Sequence, residues 1–213
     1  MGDYRRMKQP YKLKDGSIVP GCTTICNMLD KPQLINWAWK LGKEGKDWRE
    51  ERDSAGDVGT VVHGMIMNFL KNKDFDLADY EPLYCFETAR KCFCKFLGWF
   101  TYDMETIMVE QPLVSEKLQF GGQPDSLIKI IRKNRLVDIK TSNGIYESHW
   151  LQLAGYDILL RENGYKVDEY QILWLPKDNR FDDPIRTDLR REKRIFKYLL
   201  SIYKERKANE PPW

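Results

Sequence analysis

The sequence predicts an α/β protein in which helices flank a mixed central sheet, with a mainly helical segment at the N-terminal end. Three observations predict it. Val62, Met65, Ile66, Phe69 and Leu70 recur at the spacing of one helical face. After Phe100 the period shortens to that of extended segments: METIMVEQPLVS, QPDSLIKII and RLVDIKTS. A helical stretch, the strand YQILWLP and a second helical stretch come next. Helices, a β-meander, then helix, strand and helix make an α/β sandwich around one sheet.

Taken in order, Asp30 and Pro32 are suited to start a helix through LINWAWKLG, one by capping free N–H groups and the other by fitting the first turn. Glu51–Val58 reads as a loop. The amphipathic helix begins at Thr60 and carries His63 on the edge of its apolar stripe, and a further helix covers Pro82–Trp99. Lys133-Asn134 is the expected reversal between the last two strands of the meander. A helix over Tyr146–Arg161 ends near Gly164, which suits a left-handed terminus. Thr187 is the expected cap of a long helix to Lys207, with Ile195, Leu199 and Ile202 on one side.

The 213 residues, 42% hydrophobic and 31% charged, suffice for a sizeable core and fit one domain over 1–213. That composition excludes disorder, collagen and a disulfide miniprotein. With 35 basic and 32 acidic residues the net charge of +3 is too mild to imply a polyanion by itself. No run approaches the ~18 apolar residues that a membrane span requires. MGDYRRMKQPYKLKDGSIVP has no apolar leader core and MGDYRR no myristoylation pattern, so the expectation is a soluble cytoplasmic protein without a membrane partner. Cys22, Cys26, Cys85, Cys92 and Cys94 are odd in number and lack zinc-site spacing, so they are expected as reduced thiols.

The chemistry concentrates around Asp138-Ile139-Lys140. Strand residues two apart share a face, so Asp138 and Lys140 converge while Ile139 points to the core. Beside a phosphodiester, that pair offers a hard oxygen ligand for Mg2+ or Mn2+ and a cation for phosphate or water. By itself Asp-x-Lys is usually a solvated ion pair. Asp125 precedes Asp138 by thirteen residues and shares its face, yet a turn at Lys133-Asn134 would set Asp138 opposite Lys129. Asp125 would then stand ~13 Å away, at ~3.3 Å per residue. A bulge, strong twist or longer hairpin loop is therefore expected, with Gly121, Gly122 and Pro124 permitting it. His63 is either a satisfied boundary histidine or a metal ligand. Gln152 and Tyr156, four apart, share one side of the following helix. They read either as ordinary helix surface or as an amide and a phenol reaching the strand ends.

Together these residues resemble, in order, the PD-(D/E)XK nuclease superfamily, specifically its RecB-like exonuclease branch, which includes phage exonucleases and the mitochondrial genome maintenance exonuclease. VPGCTTICNMLDKPQLINWAWKLG resembles the N-terminal helical segment, GTVVHGMI the histidine motif and GGQPDSL the segment of the first aspartate. LVDIKTS is similar to the signature motif and HWLQLAGY to the Gln-x3-Tyr motif. The resemblance implies a restriction-endonuclease-like core. It implies metal ligation by Asp125, Asp138, the Ile139 carbonyl and His63, with Lys140, Asp138 and Asp125 catalytic and Thr141, Gln152 and Tyr156 accessory or in contact with DNA. Glu110, in MVEQPL, matches an acidic position of the family, which would make it a further metal ligand, and equally reads as an exposed strand carboxylate.

The activity implied by the resemblance is that of a metal-dependent deoxyribonuclease, exonuclease favoured, acting with Mg2+ or Mn2+ in phage or bacterial-type recombination, repair or DNA degradation. A recombination or replication protein is the implied partner. CRISPR-associated relatives hold an iron–sulfur cluster on an N-terminal cysteine and three later ones; no cysteine comes after Cys94, so no such cluster is expected. A mitochondrial role is disfavoured, since no Arg/Ser-rich transit pattern opens the sequence. Residues 186–207 hold nine basic and three acidic residues, which is either a surface tracking phosphates or the solvated face of a long helix. Trp37, Trp39 and Trp150 are either base-stacking groups or core, with core expected for one of the first two. A catalytically idle binding module and a structure-specific endonuclease are the competing readings.

Overall fold

The structure, a computed structural model, describes residues 9–30, 32–71 and 76–208, so the opening MGDYRR lies outside it. A short hairpin, β1 (Tyr11–Lys12) and β2 (Ile18–Val19), leads into α1 (Cys22–Cys26), α2 (Pro32–Lys43) and α3 (Trp48–Leu70). A 3-10 turn (Leu77–Tyr80) and α4 (Phe86–Trp99) come after it. Next are β3 (Met104–Val109), β4 (Leu113–Ser115), β5 (Phe120–Gly122), β6 (Ser126–Ile130) and β7 (Lys133–Lys140). The last elements are α5 (Glu147–Glu162), β8 (Glu169–Trp174), β9 (Ile185–Arg186) and α6 (Arg190–Ala208).

The main sheet has the order β3-β6-β7-β8-β9, with β7 and β8 parallel and the other neighbours antiparallel. α5 makes the crossover between the parallel pair, as such a pair needs a long connection. The protein is thus a mixed α/β fold with helices on the sheet, the class expected. Alternation along the strands feeds two cores. Leu127, Leu136 and Ile172 face α1, α5 and α6, whereas Ile128, Val137, Ile139 and Leu173 face α3 and α4. Among the described residues no helix is long and apolar enough to cross a membrane. All five cysteines are free thiols.

Several expectations are corrected. Glu51–Val58 is helical rather than a loop, because α3 starts at Trp48, where the Asp47 carboxylate accepts the Arg49 N–H at 2.8 Å. Its first turns are polar and exposed, and the buried stripe of Val58, Val62, Met65 and Ile66 begins later. The strand hairpin turns at Ile131-Arg132, since Ile130 pairs with Lys133. Asn134 is not a turn residue; its N–H and amide bond Asp168 and Lys166 and tie β7 to the entry of β8. METIMVEQPLVS divides, β4 pairing with β5 in a separate two-stranded sheet. The helix expected from Pro82 starts at Phe86. α6 starts at Arg190 rather than near Thr187, with Asp188 accepting the Arg190 N–H. Its buried face is Phe196, Leu199 and Leu200, while Ile202 is half exposed.

Candidate active site

The C-terminal end of β7 organises the site. Asp138 and Lys140 share a face, as strand geometry requires, and form an ion pair at 2.6 Å with Asp138 only 1% exposed. Ile139 points the other way into the core beneath α3. The β6–β7 ladder ends at Ser126–Val137, and the residue just before β6 is Asp125. With the hairpin turning two residues earlier than the sequence suggests, Asp125 comes directly after the Ser126–Val137 pair and so beside Asp138. The expected four-residue offset vanishes without a bulge in this hairpin; the irregularity lies instead between Thr106 and Met108 of β3. Asp125 then leaves the ladder, and its carboxylate takes the place of a backbone carbonyl by accepting the Ile139 N–H at 2.9 Å.

His63 enters from α3. Its Nε2 lies 3.0 Å from the Ile139 carbonyl and its Nδ1 3.7 Å from Asp125 Oδ1. Gly59, one turn earlier, allows this approach: a Cβ there would stand 3.0 Å from the Thr141 hydroxyl, just past the end of β7. Thr141 therefore marks where α3 presses against β7. This is the contact the structure gives it.

From the opposite layer, Gln152 of α5 accepts from the Lys140 ammonium at 3.1 Å. Its amide nitrogen donates to the Tyr156 hydroxyl at 2.8 Å and to Thr23 of α1 at 3.2 Å. Burial pushes the Tyr156 phenol well above its ordinary value, so it stays a neutral hydroxyl. Burial does the same to the Cys22 thiol, which donates to the Gln152 carbonyl. Tyr156 is 4% exposed, so it organises Gln152 rather than presenting itself at the surface. α1 and α5 touch closely because residue 155 is glycine, where a Cβ would meet Cys22 Sγ at 2.5 Å.

Glu110 succeeds β3 with a left-handed backbone, φ 47°. Its N–H donates to the Asp125 carbonyl, and its carboxylate pairs with Lys71 at 2.8 Å. Gln123 donates to the Glu110 carbonyl. The backbone of Glu110 thus supports Asp125 while its side chain serves an ion pair. Trp150 is core, covered by the Arg186 guanidinium at 4.0 Å, and is not available to stack on bases. Neither of the other two is core: Trp37 is half-buried, and Trp39 is exposed beneath the Lys43 ammonium. Thr23, Gly59, Cys22 and Lys71 escape sequence reasoning, because each acts through a partner distant in the chain.

The donor set suits a hard divalent cation: carboxylate and carbonyl oxygens with one imidazole nitrogen. Neighbouring ligands at right angles around such an ion, with bonds of ~2.1 Å, lie ~3.0 Å apart. The separation of His63 Nδ1 from Asp125 Oδ1, 3.7 Å, is of that order, while Nε2 is hydrogen-bonded to the Ile139 carbonyl. Among the described residues no three His, Cys, Asp or Glu side chains are already grouped to hold a metal. Asp138 is engaged by Lys140, so joining a cation means exchanging that ammonium for the ion.

No family model matches the chain, and no curated protein matches it. Among solved structures, the chain superposes with a TM-score of 0.47 and 12% identity on a protein of Eubacterium rectale described as a candidate exonuclease. That alignment covers 73% of this chain and 66% of the other, so the chain spans less than two thirds of that neighbour's length. A second structure, SSO0001, aligns with a TM-score of 0.38 and 17% identity over 63% of this chain and 69% of its own. At these scores the two are similar in outline, and the functional reading rests on the site alone.

Proposed function

We propose that the protein is a divalent-metal-dependent nuclease hydrolysing phosphodiester bonds in DNA, acting from strand ends in recombination, repair or DNA degradation. One observation carries this reading: Asp125, Asp138, Lys140, His63 and the Ile139 carbonyl come together at the end of one strand, from two strands and a helix. A structural ion pair has no need of a second carboxylate across the ladder and an imidazole above it.

Asp125, Asp138, the Ile139 carbonyl and His63 would hold Mg2+ or Mn2+. Such an ion, when bound, neutralises charge on the phosphate and makes a nearby water more acidic. Lys140 contributes a fixed positive charge whose direction is set by Gln152, and Gln152 is itself held by Tyr156 and Thr23. Asp125, bonded to the Ile139 N–H, keeps one carboxylate oxygen oriented and leaves the other toward His63.

The test is cleavage of end-labelled single-stranded, double-stranded and circular DNA with Mg2+, Mn2+ or EDTA, for the wild type and Lys140→Ala. Metal-dependent loss of linear but not circular DNA, absent in the variant, supports an exonuclease, and the label gives its direction. Cutting of circles makes it an endonuclease. Tight DNA binding without cleavage under any condition makes it an idle binding module.

A further inference from the structure

One cation outside the site is held in a way the proposed chemistry does not use. Lys95 of α4 donates from Nζ to the carbonyls of Pro176 at 2.6 Å and Arg180 at 2.9 Å, and to that of Asp178. An ammonium has three N–H donors and no acceptor, so three converging carbonyls saturate it. Cys92, one turn earlier, directs its thiol to the same Pro176 carbonyl at 3.6 Å. The backbone of the segment after β8, outside regular helix or strand, is thereby fixed by a side chain from another layer.

This segment starts beside the site. Leu175 donates its N–H to the Lys140 carbonyl at 2.7 Å, and Trp174 lies opposite Lys140 in the parallel register. The Trp174 indole N–H donates to the Ser142 carbonyl at 2.7 Å, two residues beyond Lys140. The Arg180 guanidinium rests 5.0 Å from the centre of the Trp174 ring, and Phe181 is 44% exposed. A guanidinium, itself paired with Asp178 at 2.7 Å, therefore stands over the residue opposite Lys140, and an exposed aromatic residue follows it in the chain.

We propose that Lys95 is a positioning residue that holds 176–182 as a preordered wall of the site, with Arg180 and Phe181 as the groups that meet the DNA strand. This rests on the nuclease reading above. A loop ordered before binding loses no further conformational freedom when the strand arrives, so the clamp strengthens substrate binding rather than the chemical step. The geometry selects lysine. A planar guanidinium spreads its donors in a fork and cannot aim three of them from one nitrogen at converging carbonyls.

The test compares the wild type with Lys95→Met, Lys95→Arg and Lys95→Ala, measuring steady-state cleavage, DNA binding in EDTA and amide hydrogen exchange. For Lys95→Met and Lys95→Arg, KM and the dissociation constant Kd are expected to rise about tenfold with kcat within about twofold, the mark of lost preorganisation. Exchange should quicken over 176–182 and stay unchanged in β7. Propylammonium should restore binding to Lys95→Ala by refilling the carbonyl ring. Wild-type KM and exchange in all variants, or equal losses in kcat and stability without the binding shift, would overturn the proposal while leaving the nuclease reading intact. A wild type that neither binds nor cleaves DNA would overturn both.

Discussion

His63 Nε2 and the Ile139 carbonyl lie 3.0 Å apart although 76 residues separate them in the chain. A carbonyl only accepts, so in this contact Nε2 carries the proton, while Nδ1 faces Asp125 Oδ1 at 3.7 Å. Imidazole ligates Mn2+ more readily than Mg2+, which prefers oxygen. His63→Ala is therefore expected to lose roughly tenfold or more of its cleavage rate with Mn2+ and less with Mg2+. Initial rates across a titration of each metal check this.

Lys140→Ala should abolish cleavage, and it should also weaken the fold. Asp138 is 1% exposed, and Lys140 neutralises it. Removing one partner of a buried pair costs ~3 kcal/mol or more at neutral pH. Urea unfolding should show that loss, and adding Asp138→Asn should recover most of it without restoring cleavage.

Gly59→Ala separates stability from activity. Alanine in mid-helix is worth ~0.5–1 kcal/mol over glycine, but its Cβ would stand 3.0 Å from the Thr141 hydroxyl. The melting temperature is expected to hold or rise while cleavage falls, as α3 and His63 move away from β7. Thr141→Ala in the same chain removes the contact and should return part of the activity.

Acid sensitivity should trace in part to the other end of β7. The Lys133 ammonium, with Arg135, holds the Glu169 carboxyl below the ordinary glutamate range, and the Asn134 N–H lowers Asp168 in the same way. A carboxyl lowered by folding stabilises the protein above its unfolded pKa, ~4.3 for glutamate, and that contribution disappears as pH falls through the folded value. Glu169→Gln is expected to lower stability at pH 7 and to flatten its dependence on pH below about 4.3. Denaturant melts from pH 7 to 3 would show it.

Ile131 occupies a left-handed backbone position, φ 58°, at the first central residue of the β6–β7 turn, and is 77% exposed. A β-branched residue is strained there, and glycine is not. Ile131→Gly should stabilise the protein by about 1 kcal/mol without affecting cleavage. The midpoint of urea unfolding reads it directly.

That same isoleucine explains what can be read in the sequence and what cannot. Asp138 and Lys140 on one face, and Gln152 with Tyr156 on the next helix, are set by local periods of two and 3.6. The register that unites Asp125 with Asp138 is not, because turn chemistry points to Lys133-Asn134 while the chain turns on a residue those rules disfavour. Asn134 is spent instead on the entry to β8. The first turns of α3 are hidden for another reason: an exposed charged helix capped by Asp47 bears no apolar stripe to announce it. Thr23 and Gly59 act through Gln152 and Thr141, contacts that topology makes and no spacing encodes.

Because the Ile139 N–H is bonded to a carboxylate rather than a strand carbonyl, the proton resonance of this one backbone amide depends on the state of Asp125. In an NMR titration with a divalent cation its chemical shift should move as the ion draws on the same carboxylate. A nucleus in the centre of the sheet, carrying no functional group of its own, thus becomes a gauge of occupancy that needs no substrate and no turnover.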